Sequence, residues 1–178
     1  MAKWVADPDH SVAAFSIKHM MVANVRGQFN KISAELSFDP ADISHASVEA
    51  FIDVSGIYTG IQKRDDHLRS PDFFDVEKFP LITFKSNKVE TSGDNHFKII
   101  GDLTIRGTTR PITMDAEYCG IEKSADGDTS IGFTASTIIN REDYGLKWNV
   151  GLESSGVMVG KEVRIFIEIE ADPKIIEE

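Results

Sequence analysis

Hydrophobic and polar positions alternate with period two along most of this chain. Phe97, Ile99, Leu103 and Ile105 share one face with Gly101 between them, while Lys98, Asp102, Thr104 and Arg106 share the other, broken only by Ile100. That is the pattern of a half-buried antiparallel strand. After Gly107 the chain turns into Pro111–Ile121, where Ile112, Met114, Ala116 and Tyr118 alternate with Thr113, Asp115 and Glu117. The two runs predict a hairpin over Arg106-Gly107-Thr108-Thr109. Asp126-Gly127 marks another turn, leading into Ile131, Phe133 and Ala135. The same alternation covers Ile32 to Phe38, Val48 to Val54 and Val163 to Glu170, and Ser11–Ile17 and Leu81–Val89 complete the set. About eight strands at this spacing predict an all-β domain, a sandwich or a closed barrel.

A single helix stands out against this background. Thr59 and Gln62 read as a capping box, Asp65 and Asp66 follow, and Pro71 stops the helix, so its expected span is Gly60–Arg69. A weaker helical turn is expected around Met20–Val25. Phe73, Phe74, Phe79 and Phe84 follow the helix, a concentration of aromatic surface that must pack at the mouth or in the interior of the sheet. Asp65, Asp66, Asp72 and Asp75 read as a solvated surface stretch. The chain shows no internal repeat or interdomain linker, and its 178 residues suit one domain over 1–178.

Charge narrows the functional classes. Asp and Glu number 29 against 19 Lys and Arg, a net charge of −10. Such a chain repels phosphate backbones and lacks a compensating basic run, so nucleic-acid binding is not expected. The same excess disfavours general adhesion to anionic lipid surfaces. No apolar run reaches transmembrane length and the first residues lack a signal-type h-region, so the expected location is the cytoplasm, or the periplasm if a leader was trimmed, without stable membrane insertion. Cys119, the single cysteine, reads as a small structural strand residue. The five histidines (His10, His19, His45, His67 and His96) include no i, i+4 or H-x-H pair, so no metal site is expected.

Four blocks are similar to the YceI-like family: DPDHSVAAFSIKHMMVANVRGQF, HLRSPDFFDVEKFPLITFKS, GDLTIRGTTRPITM and INREDYGLKWN. They occur in order over nearly the whole chain. The resemblance implies an eight-stranded antiparallel lipocalin-like barrel, one end covered by the short helix, enclosing an elongated apolar pocket for an isoprenoid lipid such as a polyprenyl chain or prenylated quinone. No other cofactor is implied. Alternation by itself states only that one face of each strand is apolar, and a barrel of this size can be filled by its own side chains or hold one small ligand. Small inward candidates (Ala13, Ala34, Ala50, Gly101, Ala116 and Ala135) would leave a slot, or else relieve crowding in a tapered core.

On the carrier reading the expected wall residues are Phe15, Ile17, Phe29, Phe51, Leu68, Phe74, Phe84, Leu103, Ile105, Met114, Phe133 and Ile138. Phe51 is the odd member, since alternation puts it opposite Val48, Ala50, Ile52 and Val54. His67, Arg141 and Tyr144 are candidates for a polar head group. Alternatively, Arg141 pairs with Asp143 while Trp148 plugs the barrel floor, with an Arg stacked on a Trp tying down one end as in lipocalin-type barrels. His10, His19 and His67 would have to converge at one end to act together; hydrogen bonding to loop backbone is the commoner role. Exposed Phe79 and Trp148 are compatible with a homodimer, a lean the resemblance shares.

No catalytic residues are expected, because no nucleophile elbow, phosphate loop or zinc-protease motif occurs. The expected function is therefore non-enzymatic binding, transport or storage of the lipid. Two alternatives stay open: an enzyme or stress-protective isomerase acting on a small apolar substrate, and a filled-core interaction module working through its acidic exterior.

Overall fold

The structure is a computed structural model and describes residues 1–175. Eleven antiparallel strands form one continuous sheet: β1 (Ala2–Ala6), β2 (Val12–His19), β3 (Ala23–Phe29), β4 (Ile32–Phe38), β5 (Ser47–Asp53), β6 (Ile57–Tyr58), β7 (Leu81–Gly93), β8 (His96–Ile105), β9 (Thr108–Lys123), β10 (Thr129–Asn140) and β11 (Val159–Pro173). One α-helix, α1 (Gln62–Arg69), lies between β6 and β7.

Closure depends on the shortest terminal strand. Trp4 of β1 stands opposite Leu36 on one side and Pro173 on the other, so β1 joins β4 to β11. The closed ring thus runs β1-β4-β5-β7-β8-β9-β10-β11 and back to β1, the eight-stranded antiparallel barrel that the family resemblance implies, with the unforeseen β1 in the ring and β2 outside it. A closed ring leaves few unpaired edges.

The remaining strands extend this ring. β11 carries β1 at Ala171–Pro173 and β2 at Val163–Glu168, so the two strands share one edge of it. β3 pairs with β2 and with the two-residue β6 only, leaving one side of the barrel end without strand closure. α1 and residues 70–80 cover that side. Arg69 donates to the carbonyls of Ser55 (3.0 Å) and Ile57 (2.9 Å), and Phe74 packs edge-on against Phe29.

Three local expectations are corrected. Met20 and Met21 do not begin a helix: both take positive φ (48° and 63°) in the tight turn of the β2–β3 hairpin, and β3 follows. Thr59 is not an N-cap. α1 starts from Ile61 without a side-chain cap, while Thr59 donates through N (2.9 Å) and Oγ1 to Asp65, which is thereby buried. Asp65 and Asp75 are both buried rather than solvated, Asp75 receiving the backbone N–H groups of Lys78 and Phe79 through its carbonyl. Helix termination is as expected: Ser70, preceding Pro71, is extended (φ −71°, ψ 168°), as the proline ring requires of its predecessor.

The β8–β9 connection is tighter than the four residues expected. Ile105 pairs with Thr108, leaving Arg106 and Gly107 in the turn with φ of 49° and 72°. Two positive values in a two-residue loop give the type I′ geometry that matches strand twist. Arg106 anchors the turn by donating to the carbonyls of Gly145 (2.7 Å) and Pro71 (2.9 Å).

Candidate functional site

The inward positions of the strands do not fill the barrel. They surround a cavity of about 400 Å³ that runs between two aromatic closures. This is within the roughly 300–1,000 Å³ range of small-molecule sites. Its wall is almost wholly apolar, built from Phe15, Ile17, Ile52, Phe84, Leu103, Met114, Ile139, Ile165 and Ile167 among others. Five of the small residues, Ala13, Ala34, Ala50, Ala116 and Ala135, line it. Gly101 does not: a methyl there would meet the Phe84 ring and the Lys85 carbonyl, so the missing side chain makes room for Phe84 rather than for a ligand.

One end is sealed. Phe38 meets Phe133 edge-on at 4.8 Å between ring centroids and lies 4.9 Å from Tyr118, with Phe97 6.4 Å from Phe133. Burial pushes the Tyr118 hydroxyl up from its ordinary pKa, keeping it a neutral part of this floor. The other end, the mouth, lies under α1. There the His67 ring stands edge-on to Trp148 (4.8 Å) and Phe73 (5.0 Å), and its Nε2 is 2.8 Å from Asp72. Trp148 is therefore at the mouth, opposite the floor it was expected to plug.

Thirteen of the expected site residues line the cavity: Phe15, Ile17, Phe29, His67, Leu68, Phe74, Phe84, Leu103, Ile105, Met114, Phe133, Arg141 and Trp148. Three do not. Phe51 (37% exposed) and Ile138 (50%) point outward, because strand parity gives the inward places to their neighbours Ile52 and Ile139. Tyr144 is buried (1% exposed) behind the wall, and its hydroxyl has no hydrogen-bond partner among the described residues; burial raises its pKa.

Arg141 behaves differently from either expectation. Instead of pairing with Asp143 or stacking on Trp148, it donates to the carbonyls of Gly160 (2.7 Å), Leu146 and Val159 (3.3 Å). Burial pulls its pKa below the ordinary arginine value. The guanidinium ties the segment after β10 to the start of β11, and this use of its donors makes it a structural clamp. Its signal in the sequence was the compact Arg-Glu-Asp-Tyr-Gly loop itself, which does not reveal where the donors point.

The histidines also separate. His19 and His67 line the mouth, whereas His10 is at the sealed end, bound through Nδ1 to Asp7 at 2.7 Å. That hydrogen bond raises His10 and lowers Asp7 from their ordinary pKa values. Glu170 completes a group with ligand atoms within 4.8 Å, solvent-facing and away from the cavity. Phe79 and Trp148 form no exposed patch: Phe79 packs on the Gly107 turn and Trp148 on His67 and Phe73. Residues missed by the periodicity include Met158, from the irregular segment before β11, and Val159, the first residue of β11, which both reach the mouth. Lys18 and Arg64 were missed as well, each carrying the polar pattern of a solvent-facing position.

Comparison with known proteins agrees with this architecture. The YceI-like domain model matches residues 4–171. A UPF0312 protein of Staphylococcus aureus (strain MSSA476) is 40% identical over 165 residues, covering 92% of this chain and 94% of that protein. The crystal structure of Burkholderia cenocepacia BcnA superposes with a TM-score of 0.79 at 27% identity, covering 93% of this chain and 98% of that one. A polyisoprenoid binding domain from Saccharophagus degradans shares the fold alone, at a TM-score of 0.69 and 13% identity over 98% of this chain and 99% of that one. By its matched domain and its barrel, this chain belongs to the YceI-like family.

Proposed function

We propose that this protein binds an isoprenoid lipid, a polyprenyl chain or prenylated quinone, inside its barrel and carries or stores it without chemical change. The observation that carries the reading is the cavity: about 400 Å³, lined by aliphatic and aromatic side chains, floored by Phe38 and Phe133 and covered by α1. Enclosing an apolar tail there gains on the order of 25 cal/mol per Å² removed from water, with little demand for directional contacts. The polyisoprenoid binding named for the Saccharophagus degradans domain supports the choice of ligand class. The void speaks against a filled-core module. The isomerase alternative calls for a polar group deep among the reacting atoms, and the histidines of this cavity, His19 and His67, stand at its mouth.

Ala135 is the test position, since it lines the cavity from β10 in the middle of the wall. Titration of the protein with a C20 isoprenoid alcohol, followed by tryptophan fluorescence, is expected to saturate at one equivalent. Ala135→Phe is expected to abolish uptake while the far-ultraviolet circular dichroism stays that of the barrel. Equal uptake by the folded variant would refute a tail site in the barrel.

A further inference from the structure

The ionisable residues lining the cavity are Lys18, His19, Arg64, His67 and Arg141. All are basic types, in a chain where acidic residues outnumber Lys and Arg 29 to 19, and no Asp or Glu lines the cavity. All five are also at one end. Lys18 and His19 close β2, Arg64 and His67 stand one turn apart on α1, and Arg141 directly follows β10. Basic groups of the lining are thus concentrated where a lipid head would sit, and none lines the cavity at its sealed end.

Their hydrogen bonding divides them. Arg141 is committed to three carbonyls, and His67 to Asp72. Lys18, His19 and Arg64 make no ion pair among the described residues. The carboxylates nearest in the chain are already engaged: Asp65 with Thr59, Asp66 with Arg69, and Glu142 with Lys161. Arg64 is also held in place. Its Nε donates to Thr59 Oγ1 (2.7 Å) and its Nη2 to the Thr59 carbonyl (2.7 Å), while Thr59 donates in turn to buried Asp65. Nη1 is left with no protein acceptor among the described residues, on a guanidinium that needs no reorganisation to receive one. A carboxylate or phosphate oxygen takes a charge-assisted hydrogen bond from such a group, whereas an alcohol or quinone oxygen takes a weaker neutral one.

We infer that the mouth selects isoprenoid lipids with an anionic head, phosphate or carboxylate, and that Arg64 with Lys18 and His19 forms the head-group site. The inference rests on the tail-binding reading above and deepens it. A head group held at the mouth keeps its remaining oxygens in water, so the desolvation cost of a fully buried charge is avoided.

The test compares one C20 tail as alcohol, carboxylic acid and monophosphate, at low ionic strength, by tryptophan fluorescence titration. Wild-type protein is expected to bind the acid and the monophosphate about tenfold or more tightly than the alcohol, the range of a charge-assisted bond. Arg64→Gln is expected to bring the three within about threefold, by weakening the acid and the monophosphate far more than the alcohol, with an unchanged far-ultraviolet circular dichroism spectrum reporting an intact fold. Should Arg64→Gln lose the alcohol too, Lys18→Gln decides by the same criterion. Inorganic phosphate at millimolar concentration is expected to displace none of them; displacement would mean a free-ion site and overturn the lipid-head assignment. Equal wild-type affinity for all three ligands overturns the head-group inference and leaves tail binding standing. Failure of all three to bind overturns tail binding itself, and the inference with it.

Discussion

Tyr144 and Arg141 are neighbours in one short loop and show how differently burial is resolved for two polar side chains. Arg141 spends its donors on three carbonyls, so its charge is solvated by backbone dipoles. The Tyr144 hydroxyl is buried with nothing to bond to among the described residues. An unsatisfied buried hydroxyl costs free energy, and removing it without changing shape returns that cost. Tyr144→Phe is therefore expected to leave stability unchanged or raise it by about 1 kcal/mol in urea denaturation; a loss of that size would contradict the burial assigned to the hydroxyl. At this scale the sequence was legible wherever strict alternation held. Phe15, Ile17, Leu103 and Ile105 face inward as their parity states, whereas Phe51 and Ile138, expected in the wall against that parity, face outward. The fate of Arg141 and Tyr144 was not legible, since a loop residue's partners come from Leu146, Val159 and Gly160, whose placement no local pattern encodes.

Among the elements, the β2–β3 hairpin carries a local conflict. Met20 and Met21 hold left-handed backbone, and Met20, Met21 and Val22 are all exposed, Val22 at 84%. The hairpin is nevertheless fixed by its strands, from Ala13 opposite Phe29 to His19 opposite Ala23, and by the Phe15 ring lying against Gly27. Left-handed backbone disfavours residues with a Cβ and is free for glycine. Met21→Gly is expected to stabilise the protein by about 0.5–1 kcal/mol despite the added entropy of the unfolded chain, seen as a rise in the thermal midpoint. A fall would show that the Met21 side chain contributes packing that outweighs the backbone strain. Such a turn was hidden in the sequence because Met-Met is a helical signal rather than a turn signal. By contrast, Arg106-Gly107 and Asp126-Gly127 announced their turns through glycine. β3 was hidden for another reason: it alternates, but with small Ala23 and Gly27 at two of its four apolar-side positions, only Val25 and Phe29 mark the buried face.

At the scale of the whole molecule, strand periodicity defined the ring but not its closure. β1, five residues long, joins β4 to β11, a contact between the two chain ends that no local pattern reveals. The same topology splits the barrel into two ends of different character. The floor is packed with aromatic rings and lacks charge in its lining, whereas the mouth is covered by one helix and ringed with basic groups. On the reading proposed above, a cavity of about 400 Å³ with this polarity takes an amphiphile with its tail to the floor and its head to α1. The void was expected only through the family resemblance, and both it and the orientation were beyond the strand pattern for a common physical reason. Both depend on how inward side chains from strands far apart in the chain share space, and Ala135 opposite Ala116 reads the same in a filled core as in a hollow one.

The central claim, that the barrel exists to hold a lipid tail, is tested most directly on protein purified from cells without detergent. Organic extraction followed by mass spectrometry is predicted to yield an isoprenoid lipid near one molecule per protein, absent from a parallel extract of Ala135→Phe. An empty extract from folded wild-type protein, still empty after incubation with isoprenoids, would contradict it.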